Sequence, residues 1–412
     1  MEKLGKKFWL AMSIFGLMGQ VAWVVENMYF NVFIYKMFNA SASDISTMVM
    51  ASAVMAAITT IIMGMISDKV GKRKIFMSIG YIFWGISIIS FAYIKNVTMT
   101  IFMDCVMTFF GSTANDAAYN AWLTDRGDKS NRGLIEGINS MMPLVAILVV
   151  FGGFMGFNLD NPSSWTKIYY IIGVATTLIG ISGLFIIEES PTLEKTKDNC
   201  IETLTYSFKP STYKENKYLY LLLFCFALFG ISIQVFMPYL IIYYEKSLGL
   251  TNYVLVLAPA ILIAALITAI YGKTYDKYGF DISIKAPILM LIVGYVILFT
   301  FKAIVPVFIG SLLMMAGYLC GMAIFAAGIR ENIPQNRAGQ FQGVRIIAQV
   351  FIPGLIGPFI SARVLKNAEM IINSDGTSSF LPNQNIWLAA LIVIVILAAV
   401  LIYIEKRKKL KA

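Results

Sequence analysis

The chain contains no histidine, so no side chain changes charge near neutral pH at its ordinary value. Any proton coupling inside its apolar stretches must therefore run through carboxylates. Three stand out. Glu26 lies in an apolar run over 8–36, and Asp104 and Asp116 lie in another over 98–123. Charge is costly in hydrocarbon, and carboxylates kept there mark ion or proton paths. These three are the candidate coupling residues, for a proton or a sodium ion. Glu26 stands beside a polar stripe. At about 100° per residue, Gln20, Trp23, Asn27, Asn31 and Tyr35 fall on one helical face. Amides bond hydroxyl groups and an indole packs on a sugar face, so the stripe suits a hydroxylated solute. The same groups also serve as glue between helices.

The run over 98–123 carries Asp104, Thr108, Ser112, Asn115, Asp116, Tyr119 and Asn120 over a wide arc, so it faces protein or water rather than lipid. Farther on, Gln234 and Tyr239 lie in the run over 218–244 and Gln349 in the run over 340–365. The candidate solute-binding set is Gln20, Trp23, Glu26, Asn27, Asn31, Asn115, Asp116, Tyr119, Gln234, Tyr239 and Gln349. No nucleophile sits beside a base, no residues have metal-ligand spacing, and no loop is built to cradle phosphate. An enzyme, a bound metal and a bound cofactor are therefore not expected. The four cysteines form no paired motif and read as free thiols.

What positions these residues is read from hydropathy. Of 412 residues, 58% are hydrophobic and only 14% charged, with mean hydropathy +0.74. That is too little charge to cover a water-facing surface, so lipid is the solvent for much of the chain. Apolar runs of membrane-crossing length fall near 8–36, 45–66, 75–94, 98–123, 134–157, 167–187, 218–244, 252–271, 284–301, 304–328, 340–365 and 385–404. The expectation is an all-α membrane protein of twelve transmembrane helices. They form two pseudo-symmetric six-helix bundles, 1–188 and 218–412, joined by a polar linker over 189–217. Of the 33 Lys and Arg, 26 lie at the termini and in every second loop. That asymmetry places both termini in the cytoplasm of a cell membrane. It also accounts for the net charge of +10 without nucleic acid. The partners expected are a small-molecule solute and the bilayer, and a monomer is expected.

The halves repeat. Gly64, Asp68 and Gly71 recur as Gly272, Asp276 and Gly279, offset by 208 residues. Asn131-Arg132-Gly133 is echoed by Asn336-Arg337-Ala338-Gly339, and Ile34-Tyr35 by Ile242-Tyr243. By the same offset Gln234 is the counterpart of Glu26. Parallel repeats about a linker describe one large transporter class. With these residues the chain resembles the major facilitator superfamily. Gly64 to Lys74 matches its signature between the second and third helices, with Lys72 in the first basic place, and Gly272 to Gly279 matches the degenerate second copy.

The resemblance implies a secondary transporter working by alternating access, with solute bound near the midplane between the halves. It implies a conformational latch formed by Asp68, Arg73 and Asp125, with Gly64 and Gly71 shaping the turn and Asp276 in the second copy. It also implies a gate in which Asp116 or Glu136 pairs with Arg345. A narrower resemblance, to glycoside/cation symporters related to melibiose permease, rests on Tyr119-Asn-Ala-Trp-Leu-Thr-Asp125 followed by Asn131-Arg132-Gly133. That group's acidic pattern in the second helix is missing, since 47–65 carry no Asp or Glu. A sugar or glycoside is the leading solute. Export of an amphipathic compound is the alternative.

Overall fold

The computed structural model describes residues 4–126, 132–189, 205–333, 338–373 and 376–409. In hydrocarbon every backbone N–H and C=O must bond within its own segment, so the apolar runs become helices. They are α1 (Lys6–Phe38), α2 (Ala42–Val70), α3 (Lys74–Tyr93), α4 (Val97–Arg126), α5 (Arg132–Phe154) and α6 (Pro162–Ile186). After the linker come α7 (Lys217–Ser247), α8 (Val254–Ser283), α9 (Lys285–Thr300), α10 (Ile304–Asn332), α11 (Gly343–Val364) and α12 (Asn385–Lys406). Among the described residues, eleven helices are long and apolar enough to cross a membrane. In α5 the apolar part is the shorter stretch Met141–Phe154, with Pro143 inside the helix.

One element lies outside the expected all-helical plan. Between α11 and α12 the strands β1 (Met370–Ile372) and β2 (Ser378–Phe380) pair antiparallel, with Met370 opposite Phe380. Gly376, at φ 81°, supplies the left-handed residue of its turn. Three residues per strand give too short an alternation to register against the long apolar runs.

The chain divides into two compact units. One comprises Met1–Ala40 and Ala51–Cys200, the other Ser41–Met50 and Ile201–Ala412. The first turns of α2 thus group with the second unit. There the Ser46 hydroxyl reaches the Pro358 carbonyl and the Tyr239 hydroxyl, each at 2.8 Å, and the Tyr239 hydroxyl reaches the Ala42 carbonyl at 2.8 Å. Two hydroxyl protons serve these three contacts, so one contact goes without a proton at any moment.

Within the first unit α3 and α6 approach backbone to backbone, as small residues permit in membranes. A Cβ on Gly85 would stand 2.4 Å from the Gly173 carbonyl and 2.6 Å from the Thr177 nitrogen. Within the second unit a Cβ on Gly317 would stand 2.7 Å from the Pro287 carbonyl, joining α10 to α9. Backbone cannot yield as a side chain does. Gly85→Ala is therefore expected to destabilise the protein by about 1–3 kcal/mol, read as a lower unfolding temperature in detergent. Gly152→Ala, where a Cβ meets nothing within 4 Å, is the control. It should be neutral or stabilising through helix propensity, and equal melting of the two variants would disprove the close approach.

The sequence repeat has a conformational basis at its last glycine. Gly71 and Gly279 both adopt positive φ, 67° and 68°. In the second copy this interrupts the helical run of α8.

Candidate functional site

Glu26 sits on a π-helical turn, Val25–Phe30, in the middle of α1. A π turn holds more residues than an α turn, so it swings the following residues to a new azimuth, and such turns concentrate at functional sites. The stripe read at 100° per residue is divided here. Gln20 and Trp23 are half-buried and Asn27 is exposed, but Asn31 and Tyr35 turn into protein. The two asparagines bond back along their own helix, Asn27 Nδ2 to the Trp23 carbonyl at 2.8 Å and Asn31 Nδ2 to the Asn27 carbonyl at 2.9 Å. Trp23 lies against Trp84, ring centroids 5.0 Å apart, and its indole N–H is buried without a partner.

Glu26 itself is 6% exposed. Its Oε1 accepts from Ser52 Oγ of α2 at 2.8 Å and from Thr108 Oγ1 of α4 at 3.0 Å. Both partners are hydroxyls, and Oε2 is buried with no partner. One turn from Thr108, Asp104 is 1% exposed, and its Oδ1 is likewise buried and unpartnered. Glu26 and Asp104 lie within electrostatic reach of each other. Two carboxylates without a neutralising cation cannot both stay ionised in a low-dielectric interior at reasonable cost.

Thr108 links them. Its single proton has three acceptors in range: Glu26 Oε1, the Asp104 carbonyl at 2.8 Å and Ser52 Oγ at 3.4 Å. An ionised Glu26 draws that proton, and a protonated one releases it to the backbone. Sequence reading places Thr108 on a polar arc but gives no sign of this role, and it does not single out Ser52 at all.

The rest of α4 divides by burial. Its own π turn, Ser112–Tyr119, carries Asp116, which is half-buried and accepts from Ser112 Oγ at 2.9 Å. Asn115 and Tyr119 are engaged between helices. Asn115 Nδ2 donates to the Tyr81 hydroxyl at 2.8 Å, and the Tyr119 hydroxyl donates to the Met12 carbonyl at 2.9 Å. Gly16 and Gly19 make room for them, since a Cβ there would stand 2.5 Å from the Tyr119 hydroxyl and 2.1 Å from Asn115 Nδ2. In the second unit Tyr239 is buried and engaged with Ser46 and Ala42. Gln234 is half-buried on α7, with Gly357 of α11 packed on its Cβ position. Gln349 lies on the π turn Ile347–Phe351 of α11, and both it and Arg345 are half-buried. The side chains of Glu136 and Asp276 lie outside the described residues.

At the far ends of α2, α4 and α6 a second charged cluster forms around Arg73, which is 4% exposed. Each of its three guanidinium nitrogens is engaged. Nε donates to Asp125 at 2.8 Å, Nη1 to Ser67 at 2.6 Å, and Nη2 pairs with Asp68 at 2.5 Å. Burial alone lowers the guanidinium pKa, but the bond to Asp125 and the charge of Asp68 more than offset it, and the net direction is upward. The Glu189 carboxylate accepts from the backbone N–H groups of Arg73 and Lys74 and so caps α3 with negative charge at its positive end. Arg126 reaches Glu188 and the Glu189 carbonyl, and Trp122 Nε1 donates to the Glu188 carbonyl at 2.8 Å. Asp68, Arg73 and Asp125 thus come together. Glu188 and Glu189 escape sequence reading, because only their charge opposite Lys72–Lys74 points to them.

A Major Facilitator Superfamily profile matches residues 8–358. The chain belongs to the major facilitator superfamily. It is a membrane transporter and not an enzyme. Among solved superfamily structures, the nucleoside transporter NupG superposes with TM-score 0.73 at 13% identity, over 96% of this chain and 98% of that one. A bacterial homologue of the human lysosomal transporter Spinster superposes with TM-score 0.73 at 14% identity, over 97% of each chain. At these identities the likeness is one of fold. No protein of curated function matches by sequence. The Arg73 cluster occupies the superfamily's signature segment. The Glu26 cluster is formed by residues that the signature does not include.

Proposed function

We propose that this transporter couples movement of a small hydroxylated solute, with a sugar or glycoside as the leading class, to a proton or sodium ion carried at Glu26 and Asp104. The observation that carries this reading is the pair of buried carboxylates in membrane-spanning helices, each with one oxygen unpartnered. A site of this kind needs a proton or a cation in at least one stage of the cycle. Gln20, Trp23, Asn27 and Asp116 line the same helices, α1 and α4, with their side chains only partly buried or exposed, and they supply amide, indole and carboxylate groups for solute hydroxyls. NupG is a nucleoside transporter, and a nucleoside also presents a hydroxylated ring, which supports widening the solute panel beyond free sugars. The protein acts in the cell membrane as a monomer, with both termini cytoplasmic.

The test is counterflow in proteoliposomes with labelled sugars, glycosides and nucleosides, each with and without sodium and a pH gradient. Exchange of at least one hydroxylated solute, accelerated by one of the two ions, is expected. Exchange confined to apolar or amphipathic compounds, with no effect of either ion, would overturn both the solute class and the coupling.

A further inference from the structure

The start of α7, the start of α9 and the end of α12 line a cavity of about 350 Å³, apart from the Glu26 and Arg73 clusters. The volume lies within the range of about 300–1,000 Å³ usual for small-ligand sites. Its wall is apolar, and two of the lining residues, Leu289 and Ile402, are 60% and 55% exposed, so it opens through the side of the helix bundle. Its polar groups collect at one end. Tyr218 is the second residue of α7, Lys285 the first of α9, Glu405 lies in the last turn of α12, and Asp281 just precedes α9. Lys285 Nζ pairs with Glu405 at 2.9 Å and the Tyr218 hydroxyl donates to Asp281 at 3.4 Å.

A trough of methyl groups running into the bilayer from a charged mouth has the shape of a site for one acyl chain and its headgroup. The charges at the mouth select among headgroups. One ammonium and one phenol answer a phosphate, while two carboxylates answer a cation. A headgroup with phosphate alone leaves the two lining carboxylates unanswered. A quaternary ammonium has no N–H to give the carboxylates. A primary ammonium satisfies both ends. We infer that this cavity binds a phospholipid bearing a primary-ammonium headgroup. Its phosphate lies at Lys285 and Tyr218, its ammonium at Asp281 and Glu405, and one chain lies along Leu289 and Ile402.

The experiment is native mass spectrometry of the purified full chain offered an equimolar mixture of phosphatidylethanolamine, phosphatidylcholine and phosphatidylglycerol with identical acyl chains. The ethanolamine lipid is expected to be retained about fivefold over the other two, the factor that roughly 1 kcal/mol of headgroup contact gives. Lys285→Ala should remove that preference. Glu405→Gln, which keeps the side chain's shape, should lower ethanolamine retention to the choline level with no loss of thermal stability. Leu289→Trp should reduce retention of all three by filling the trough. Equal retention of the three lipids, preference for phosphatidylglycerol, or an ethanolamine preference unchanged in Lys285→Ala and Glu405→Gln would each overturn the assignment.

Discussion

Glu26→Gln abolishes gradient-driven accumulation of solute, by about tenfold or more, while exchange of solute across the membrane at zero gradient persists within about threefold. Glutamine keeps the shape of Glu26. It can still accept from Ser52 and Thr108, which approach Oε1 at 2.8 and 3.0 Å, and it carries no charge itself. Stability should therefore change by no more than about 1 kcal/mol. What the amide lacks is the ability to take up and release a proton, or to offer a negative charge to sodium. The carrier is then fixed in one charge state and equilibrates solute without using the ion gradient. Asp104→Asn is expected to act in the same direction, because among the described residues its Oδ1 is the other buried carboxylate oxygen without a partner. Thr108→Val removes one of the two hydroxyls that bond the Glu26 carboxylate and should shift the ion dependence of transport without removing it. The measurement is uptake against counterflow in the same proteoliposomes. If Glu26→Gln accumulates solute as well as the native chain does, Glu26 is not the coupling group.

The fold was legible from physical constraints that act over long stretches. Hydrocarbon demands about 20 apolar residues per helix, and the helices reach or approach that length, the shortest, α9, having 16 residues. The helix α5 has an apolar part of only 14 residues, Met141–Phe154. The signature cluster was legible because two of its members, Asp68 and Arg73, lie close in sequence to a turn whose glycine, Gly71, adopts positive φ. The interior site was less legible for a geometric reason. A helical stripe is read at a constant angle per residue, and α1, α4, α7 and α11 each contain a π turn that changes the angle. Glu26 falls off the stripe at 100° per residue, yet the π turn that carries it seats it against Ser52 and Thr108. Asn31 and Tyr35 fall on the stripe and are rotated into protein. Asn115, Tyr119 and Tyr239 show the other difficulty. Their polar atoms look equally available for solute in the sequence, and only the packing of Gly16, Gly19 and Ser46 reveals that they bond neighbouring helices.

Arg73→Ala should be the most damaging single substitution at the charged face, lowering stability by about 3 kcal/mol and transport by about tenfold or more. Removing one partner of a buried ion pair leaves the other charges uncompensated, at a cost of about 3–5 kcal/mol. The lower end applies here because the Asp68 and Asp125 side chains keep 48% and 22% exposure. Without the guanidinium, Asp68, Asp125 and Glu189 face one another with no charge between them. The site distinguishes charge from shape. Arg73 donates from three nitrogens to Ser67, Asp68 and Asp125 at once, a planar fork that lysine cannot reproduce. Arg73→Lys should therefore recover only part of the lost stability. Asp125→Asn in the Arg73→Ala background removes one orphaned carboxylate and should raise the melting temperature above that of Arg73→Ala alone, a coupling that a double-mutant cycle measures. Both proteins would be followed by thermal unfolding in detergent and by counterflow. An Arg73→Ala protein that melts with the native chain, or a double variant no better than the single one, would show that this cluster is a surface ornament of topology. A rescued fold that still fails to transport would show the converse, that the guanidinium is needed for the conformational cycle beyond its part in holding α2, α3 and α4 together.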